Sequence, residues 1–539
     1  MKIRKNNFLH ICKSHIGLLL ILLTTFILQI FYAATRSLWL DEFFSWAIIK
    51  RPLKEILFLE KDFARWYMNS FPPLYEMIVR FFLKLVPICN DLILRLPSII
   101  SFLITIVLVY ALTVKISRKR EAGLLASFLV AFNSAYFSYG YMLRGYLFLT
   151  GLCVVSLYLI YMFLISKRKI KYLVILSLVN SCLVYTSYIS FIIIIIEGIF
   201  LYVHALKNKD NRILPYVLGS FLLPFVIFIP WARNFGVDCF LESASSTNDT
   251  VYERFLSLFT GSNRIFLVQM ILFPISYLYC YKKSRSPVRS FFLLLIILFS
   301  IYLFLGIFFI DPFNVRYFLP ILFIPILFNC IFIAAQKKYF QLILISVLIL
   351  ATLADIGNYD FHIDIDNHLV DIKSVAHYLR ARDYTTENTV IFFEDIMVMP
   401  GFFYYFLSPK EAYLATAPWY GNFMKINEYL VGKNIIAWGN CLGMNYYADD
   451  LIVADDHDIL ILVDTGYFRH YVNIFSDIEG KENFIMSIEK LASGRGVPYQ
   501  LLEKKEFNGF VVAIYKKGQG QWSDAIRRYV MQVRNNVGE

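Results

Sequence analysis

Long apolar runs recur along this chain as far as Ala354 and limit what it can fold into. Most of them approach 20 residues, the length at which an α-helix crosses the hydrocarbon core of a bilayer. The 539-residue chain is 58% hydrophobic and 18% aromatic, with a mean hydropathy of +0.59. A soluble globular protein does not need so much apolar surface, so the pattern predicts a polytopic α-helical membrane protein.

Short basic clusters separate the apolar runs and give each run a direction. Because positively charged loops remain in the cytoplasm, we place the clusters near Lys119, Lys169, Lys209, Lys283 and Lys337 on the inner side. About eleven spans then fit with a consistent parity, and the chain beyond them lies outside the membrane. The predicted spans are 16–34, 94–114, 122–139, one ending before 167, 172–185, 188–206, 214–231, one ending before 282, one ending before 311, 317–337 and 339–354.

The charge and the cysteines exclude other classes of protein. The formal net charge is +12, which in a soluble chain would suggest a nucleic-acid partner, but here the basic residues lie in short loops between spans. The eight cysteines form no Cys-x-x-Cys motif and show no metal-type spacing. The basic N-terminus before the first run, with no small-residue cleavage site after it, predicts an uncleaved signal anchor.

The segment 74–85 decides the topology. It is too short to cross the membrane and carries Glu76, Arg80 and Lys84 at near-helical spacing. If it crossed, the basic cluster around Lys119 would face outward, against the positive-inside rule. We therefore predict an amphipathic helix lying at the outer membrane surface.

From about Asn358 the composition becomes that of a soluble domain. Short strands are predicted at 389–393, 435–438, 459–463 and 509–515, and 370–382 has the spacing of an amphipathic helix. This alternation predicts a small α/β domain with a largely parallel sheet. It contains no Gly-x-Gly-x-x-Gly and no Walker loop, so nucleotide binding has no support. The expected domains are a transmembrane domain, 1–356, and an extracytoplasmic α/β domain, 357–539.

Charged and aromatic residues collect on the outer side of this topology. Asp41 and Glu42 follow the first span directly, with Trp39 and Trp46 on either side, as where aromatic rings anchor at a membrane surface. Carboxylates in apolar surroundings are costly to desolvate, and arginine binds phosphate through a planar, bidentate fork. The other outward-facing candidates are Tyr75, after the Pro72-Pro73 pair, Arg144 and Tyr146, after the third span, and Arg316, at the start of the tenth span.

Each of these features also has an ordinary structural interpretation. A carboxylate pair can be a solvated loop, a Pro-Pro pair can simply begin a helix, and an arginine at a helix end can extend to lipid headgroups. For two further candidates the structural interpretation is favoured. Glu197 lies in an isoleucine-rich span, where a neighbouring helix can hold it protonated. The segment His362-Ile-Asp-Ile-Asp-Asn-His368 is favoured as a solvated strand over a metal site.

An ordered set of short motifs resembles one group of membrane enzymes. In chain order they are Leu-Trp-Leu-Asp-Glu at 38–42, Pro-Pro-Leu-Tyr at 72–75, Arg-Leu-Pro at 95–97, Arg-Gly-Tyr at 144–146 and Asn-Val-Arg-Tyr-Phe-Leu-Pro at 314–320. Together they resemble the membrane glycosyltransferases of the GT-C superfamily, in particular bacterial relatives of the dolichyl-phosphate-mannose protein O-mannosyltransferases of glycosyltransferase family 39. The resemblance covers about residues 10–340 and, more loosely, the outer domain.

The resemblance implies transfer of a hexose or pentose from a polyprenyl-phosphate-linked donor to a protein, lipid or glycan on the outer face of the bacterial cytoplasmic membrane. It matches Asp41 to the acidic residue of the first outer loop, so Asp41 is the expected general base, with Glu42 orienting the acceptor or sharing that role. Arg144 and Arg316 fall on arginines expected near the lipid phosphate. Tyr75 and Tyr146 are expected to stack on sugar rings. By analogy the reaction inverts the sugar configuration.

The sequence differs from the related enzymes at two positions that concern metal binding. The lipid A aminoarabinose transferases carry Glu-Lys just before the counterpart of Pro72 and use that neighbourhood for metal and phosphate. Here Ser70 and Phe71 occupy those positions. We therefore name no metal ligand and no cofactor, with a divalent metal ion as the open alternative.

Two functions without glycosyl transfer compete with this interpretation. A transporter or lipid flippase would place charged residues at the bilayer midplane and break its helices in paired halves, whereas Glu197 is the one clear midplane carboxylate in the sequence. A structural assembly protein with an outer binding domain would leave the carboxylate and arginine positions unexplained.

Overall fold

The structure of the protein is a computed structural model. It describes residues 2–38, 40–50, 53–57, 72–86, 90–166, 169–210, 212–232, 264–309, 315–356, 372–384, 389–393, 399–406, 435–437, 459–464, 499–507 and 510–517.

The chain forms two compact units. The helical unit contains residues 1–35 and 51–362, and the α/β unit contains residues 36–50 and 363–539. The expected domain boundary after residue 356 stays a prediction. The grouping of residues 36–50 with the C-terminal part is a feature that the sequence did not indicate.

The regular elements follow the apolar runs and the strand patterns. The helices are α1 (Lys2–Thr35), α2 (Leu40–Lys50), α3 (Leu53–Leu57), α4 (Leu74–Leu85), α5 (Asp91–Ser117), α6 (Arg120–Ala131), α7 (Ser134–Gly140), α8 (Tyr146–Ile165), α9 (Lys169–Val184), α10 (Ser190–Lys207), α11 (Leu214–Ala232), α12 (Arg264–Lys283), α13 (Ser286–Phe309), a 3-10 helix (Val315–Phe318), α14 (Leu319–Ala335), α15 (Lys338–Ile356), α16 (Ile372–Ala381) and α17 (Met399–Phe406). The strands are β1 (Thr389–Phe393), β2 (Ile435–Ala437), β3 (Ile459–Asp464), β4 (Tyr499–Phe507) and β5 (Phe510–Lys517).

Most of the predicted spans are present as long apolar helices. Within the described residues, seven helices are long and apolar enough to cross a membrane: α1, α5, α8, α10, α13, the 3-10 helix with α14, and α15. Helices α6 and α7 make an eighth candidate, bent by 63°. At the bend, the Asn133 side chain accepts a hydrogen bond from the Tyr136 amide at 3.3 Å and so caps α7. The predicted polytopic α-helical fold is confirmed.

Three further predicted spans are helices, but each is too short or too polar to be identified as membrane-spanning. Helix α9 has only 16 residues, and the apolar described part of α11 ends at Ile229. Helix α12 has 20 residues but includes Arg264 and Gln269. Their crossing of the bilayer, and hence the total of about eleven spans, stays a prediction.

Helix α4 begins and ends where the sequence predicts, but the side chains that it buries and exposes are unusual. Its Tyr75, Glu76 and Val79 side chains are buried, whereas Phe81 and Leu85 are 63% and 67% exposed. A soluble surface helix would expose its carboxylate and bury its phenylalanine. The reversed arrangement is the one expected of a helix whose outer face meets lipid.

Small and polar residues allow the central helices to pack closely. Helix α14 is almost entirely buried and packs against α6, α8 and α12. A Cβ added at Gly151 of α8 would lie 2.9 Å from the Thr105 hydroxyl of α5, so glycine permits this approach. The same hydroxyl donates to the Leu147 carbonyl at 3.1 Å. These contacts make the helical unit a packed bundle.

Polar contacts between helices distinguish the two ends of this bundle. At the end where α8 begins, which we call the motif end, Tyr136 donates to the Leu319 carbonyl at 2.8 Å. At the opposite end, which we call the basic end, Lys169 pairs with Asp210 at 3.1 Å and Tyr161 donates to the Lys115 carbonyl at 3.4 Å. The basic clusters therefore gather at one end, as a uniform cytoplasmic side requires.

A five-stranded sheet, in the order β2-β1-β3-β5-β4, organises the α/β unit. Strand β1 pairs in parallel with β2 and β3, whereas β5 is antiparallel to β3 and β4. The prediction of a largely parallel sheet is wrong for this second half, because β4 was not recognised. Its charges, including Glu503, Lys504 and Lys505, obscured the strand, although Asn508-Gly509 is a strong hairpin signal.

Helix α16 packs its apolar face as predicted, with Val375, Ala376 and Leu379 buried. Beyond it, Arg382 binds both carboxylate oxygens of Glu503 at 2.8 Å and lies 4.0 Å over the Tyr378 ring. The nearby Tyr378 hydroxyl and the adjacent Arg382 guanidinium lower the pKa of Glu503.

Candidate active site

The carboxylate pair lies on a helix of the α/β unit. Asp41 and Glu42 are in the first turn of α2, where negative charge is favoured by the helix dipole. Glu42 is 0% exposed, so it is not the solvated loop residue of the structural alternative. The Asp41 side chain lies outside the described part of the chain.

Aromatic side chains hold α2 against α17. Phe43 contacts Tyr404 and Tyr405 with ring centroids at 5.7 and 6.1 Å, and Trp46 contacts Tyr404 edge-on at 5.1 Å. The Leu38 amide donates to the Tyr405 hydroxyl at 2.7 Å. Trp46 is 1% exposed, so the expectation that it anchors at the membrane surface is wrong: its ring fills a core instead. Trp39 lies outside the described residues.

In the helical unit, Tyr75 and the Arg144 segment form one buried polar group. The Tyr75 hydroxyl is hydrogen-bonded to the Ser98 hydroxyl, which in turn donates to the Arg144 carbonyl at 3.5 Å. Between them lies Gly145, where an added Cβ would stand 3.0 Å from the Tyr75 Cβ. The structure thus brings together two of the predicted substrate-binding residues, from α4 and from the connection before α8.

Arg144 is itself buried, with 4% of its surface exposed, and its guanidinium carbon lies 5.8 Å from the centre of the Tyr146 ring. Tyr146 packs edge-on against Tyr139 at 5.2 Å. The whole connection 141–145 is buried, unlike an ordinary loop, which runs over the surface. An arginine that merely extends to headgroups would be exposed, so the anchoring alternative does not describe Arg144.

Arg316 lies in the 3-10 helix before α14 and is half-buried. Its guanidinium carbon is 5.3 Å from the centre of the Tyr317 ring, and Nη2 is 3.5 Å from the Tyr317 hydroxyl. Tyr302 donates to the Tyr317 carbonyl at 2.8 Å and so fixes this turn. Because α14 starts at the motif end, Arg316 lies at the same end of the bundle as Arg144.

The structure contains one further buried cation that sequence reasoning did not propose as a candidate site residue. Arg95, in the first turns of α5, is 1% exposed and donates to the Ala33 carbonyl at 3.0 Å. Its guanidinium carbon also lies 5.5 Å from the centre of the Tyr141 ring, which stacks on Tyr32. The signal was present as the Arg-Leu-Pro motif, where an arginine sits inside an apolar helix.

Glu197, the carboxylate inside the isoleucine-rich span, has a local structural partner. Both Glu197 oxygens are within hydrogen-bonding distance of the Ser156 hydroxyl, at 2.7 and 2.6 Å. The described residues contain no group of three or more His, Cys, Asp or Glu side chains that could hold a metal ion. The segment His362–His368 lies outside the described residues, and the metal question stays open.

Comparisons with known proteins agree with this fold. Residues 70–232 match the family model of dolichyl-phosphate-mannose-protein mannosyltransferase. No curated protein sequence matches the chain significantly.

Solved structures of similar fold span nearly the whole chain. ArnT from Cupriavidus metallidurans bound to undecaprenyl phosphate has a TM-score of 0.53 at 10% identity, covering 93% of this chain and 98% of that chain. The apo state of ArnT gives 0.54 at 11%, with the same coverage. The apo Archaeoglobus fulgidus oligosaccharyltransferase gives 0.50 at 12%, covering 91% of this chain and 80% of that chain. The resemblance that the ordered motifs indicated is thereby confirmed: the chain has the fold of the GT-C membrane glycosyltransferases and matches the protein mannosyltransferase family model over residues 70–232.

Proposed function

We propose that the protein transfers a sugar from a polyprenyl-phosphate-linked donor to an acceptor on the extracytoplasmic face of a bacterial cytoplasmic membrane. The observation that carries this proposal is the burial of Arg144 at the motif end of a membrane bundle with the GT-C fold. A fold alone does not define an activity, which depends on what these side chains can do.

A buried arginine is suited to a lipid-linked phosphate. Away from water, the attraction between the guanidinium and a phosphate oxygen is screened less than at a surface. The planar fork of Arg144 can bind two phosphate oxygens, and the Tyr146 ring beside it helps to stabilise the cation. The ArnT structure named above is bound to undecaprenyl phosphate, which is the class of lipid we infer for this chain.

The departing lipid phosphate determines which catalytic groups are needed. As the bond between the sugar anomeric carbon and the phosphate oxygen breaks, its electrons pass to the phosphate, which leaves as an anion without a general acid. Arg144 and Arg316 stabilise that growing negative charge. Tyr75, whose hydroxyl is tied to Ser98, and Tyr146 offer aromatic faces for the sugar ring.

The acceptor hydroxyl needs a base, and Asp41 is the proposed one. It takes the hydroxyl proton while the acceptor oxygen attacks the anomeric carbon from the side opposite the phosphate, which inverts the configuration. Glu42, buried on the same helical turn, orients the acceptor or Asp41.

Helix α4 provides a way to present a lipid donor. Its apolar face, with Phe81 and Leu85, is exposed, and its Tyr75 and Glu76 face inward. A polyprenyl tail can lie along the exposed face while the phosphate reaches the buried polar group. A transporter that only moves the lipid would need its charged residues in the middle of the bundle. There the described Glu197 is paired with Ser156, which gives the transporter alternative little support.

The test compares two arginines that have similar ring contacts. Arg144→Lys retains the charge and removes the bidentate fork. Arg289→Lys is the matched control, because Arg289 also lies over a tyrosine, Tyr281, at 5.4 Å, but is exposed at the basic end. Binding of undecaprenyl phosphate and of undecaprenol to the purified full-length protein should be measured, together with transfer from polyprenyl-phosphate sugars.

Loss of a charge-assisted hydrogen bond is worth about 1.5–3 kcal/mol, so Arg144→Lys should weaken phosphate-lipid binding or transfer by roughly ten- to a hundredfold. Arg289→Lys and undecaprenol binding should change little. Equal behaviour of both variants in folded protein would show that Arg144 does not bind the phosphate.

A further inference from the structure

The basic end of the helical unit contains a cavity that the proposed reaction does not use. Its volume is about 340 Å³, and it lies where α8, α10 and α13 meet. The lining consists of Leu164, Lys169, His204, Asn208, Lys209, Asp210, Ser286, Pro287 and Ser290. Helix α8 starts beside Arg144 and ends next to Leu164, so its length separates this cavity from Arg144 by roughly 30 Å.

The charges in the lining favour an anion. Its one carboxylate, Asp210, is already paired with Lys169 at 3.1 Å, so this pair adds no net charge. Lys209 remains as a further cation. Helix α13 begins at Ser286, and the positive end of its dipole meets the cavity. The Ser286 hydroxyl adds a hydrogen-bonding group. The Asn208 amide donates one of its two hydrogens to the His204 carbonyl and keeps the other, whereas the Ser290 hydroxyl donates to the Ser286 carbonyl.

Hydrogen bonds hold the backbone at Lys209 in a defined conformation. Lys209 adopts φ 52°, a left-handed conformation that a side chain other than glycine or asparagine adopts rarely. Two hydrogen bonds hold it, from the Lys209 amide to the Leu206 carbonyl at 3.0 Å and from the Asp210 amide to the Ala205 carbonyl at 3.1 Å. His204 is held between the rings of Phe163 and Phe200, each about 6.2 Å away. The cavity is therefore walled by side chains with defined partners.

We propose that this cavity binds a phosphate group, supplied by the headgroup of an anionic phospholipid of the adjacent leaflet or by a free phosphate compound. Basic pockets between transmembrane helices on the cytoplasmic side suit lipid headgroups of this kind. The cavity opens at the ends of apolar helices, so a bound headgroup can keep its acyl chains in the bilayer. The site is distinct from the Arg144 group and does not depend on the proposed glycosyl transfer.

The experiment uses the full-length protein in detergent and a pair of neighbouring lysines. Lys209→Asn removes the charge with a side chain that tolerates the left-handed backbone. Lys207→Asn is the matched control, since Lys207 is exposed on the same helix end and does not line the cavity. Ser290→Leu, which fills the cavity without changing the charge, is a second test. Native mass spectrometry then counts bound phosphatidylglycerol and phosphatidylcholine, with inorganic phosphate as competitor and melting temperature as the folding control.

Saturable binding of one phosphatidylglycerol, weakened at least about fivefold by Lys209→Asn and by Ser290→Leu but not by Lys207→Asn, would support the site with a lipid as its source. Competition by millimolar inorganic phosphate, or a phosphate-dependent melting shift lost in the same two variants, would support the site with a free phosphate compound. Equal weakening by Lys207→Asn and Lys209→Asn, or no preference over phosphatidylcholine, would mean diffuse surface attraction and would overturn the proposal.

Discussion

Gly145→Ala tests whether the close approach of α4 to the Arg144 segment matters for function. An added Cβ would lie 3.0 Å from the Cβ and 3.2 Å from the Cγ of Tyr75, both tighter than ordinary van der Waals contact. These atoms are at the base of the side chain, so Tyr75 cannot relieve the contact by rotating its ring away. Its helix is also tethered, because the Leu74 amide donates to the Tyr185 carbonyl at 3.0 Å.

The contact must therefore be relieved by moving α4 or the Arg144 connection. Overpacking of this kind typically costs about 1–3 kcal/mol. If that strain displaces Tyr75 or Arg144 from the reacting geometry, transfer falls by roughly five- to a hundredfold while the protein remains folded.

The matched control is Gly219→Ala in α11, where an added Cβ meets nothing within 4 Å. There alanine should stabilise the helix by about 0.5–1 kcal/mol and leave transfer unchanged. The assay is transfer from a polyprenyl-phosphate sugar and binding of undecaprenyl phosphate, each with the melting temperature of the same sample. Normal transfer and lipid binding in a folded Gly145→Ala protein would refute the idea that Tyr75 and Arg144 act as one group.

Three other predictions follow from the proposed chemistry and topology. Asp41→Asn should lower the transfer rate by about 10²–10⁴-fold with an unchanged melting temperature, measured on purified protein, and near-normal transfer would exclude Asp41 as the base. A reporter fused after Ala354 should be extracytoplasmic and one fused near Lys282 cytoplasmic, and an inward signal after Ala354 would overturn the topology. Because the folded-state pKa of Glu503 is lowered, its stabilising contribution is present above the unfolded value of about 4.3 and is lost as the pH falls through the folded value. The protection factors of the β4 amides, which compare the observed exchange rate with the intrinsic rate at the same pH, should therefore fall in acid for the natural protein, and Glu503→Gln should remove that dependence.

The membrane fold could be predicted because its cause is local. Each span can be recognised from its own length and apolarity, and each loop from its own charges. Helices α5, α8 and α10 could therefore be predicted without knowing which helices they pack against. Helix α4 could be predicted equally well, since its charges excluded a crossing of the membrane. Where the outcome depends on packing or pairing partners, sequence reasoning was weaker. Strand β4 contains Glu503, Lys504 and Lys505 and was recognisable only through its hairpin with β5.

The candidate site residues also divide into features that the sequence predicts and features that depend on packing. Arg144 and Arg316 could be proposed from motif order, but the sequence could not distinguish a buried arginine from one that extends to headgroups, and burial is what separates these alternatives at Arg144. Trp46 was misplaced for the same reason, because a tryptophan beside a span suits a membrane surface or a protein core equally well. Arg95 required the structure, because its partners Ala33 and Tyr141 are distant in sequence.

The two compact units divide the proposed reaction by substrate. Under the proposed mechanism Asp41 and Glu42 act on the acceptor, and they belong to the α/β unit through the packing of α2 on α17. In the same proposed mechanism the residues that act on the lipid-linked donor all belong to the helical unit: Arg144, Tyr146, Arg316 and Tyr75. A lipid donor restricts the residues that bind it to elements that meet the membrane, whereas an acceptor outside the membrane does not.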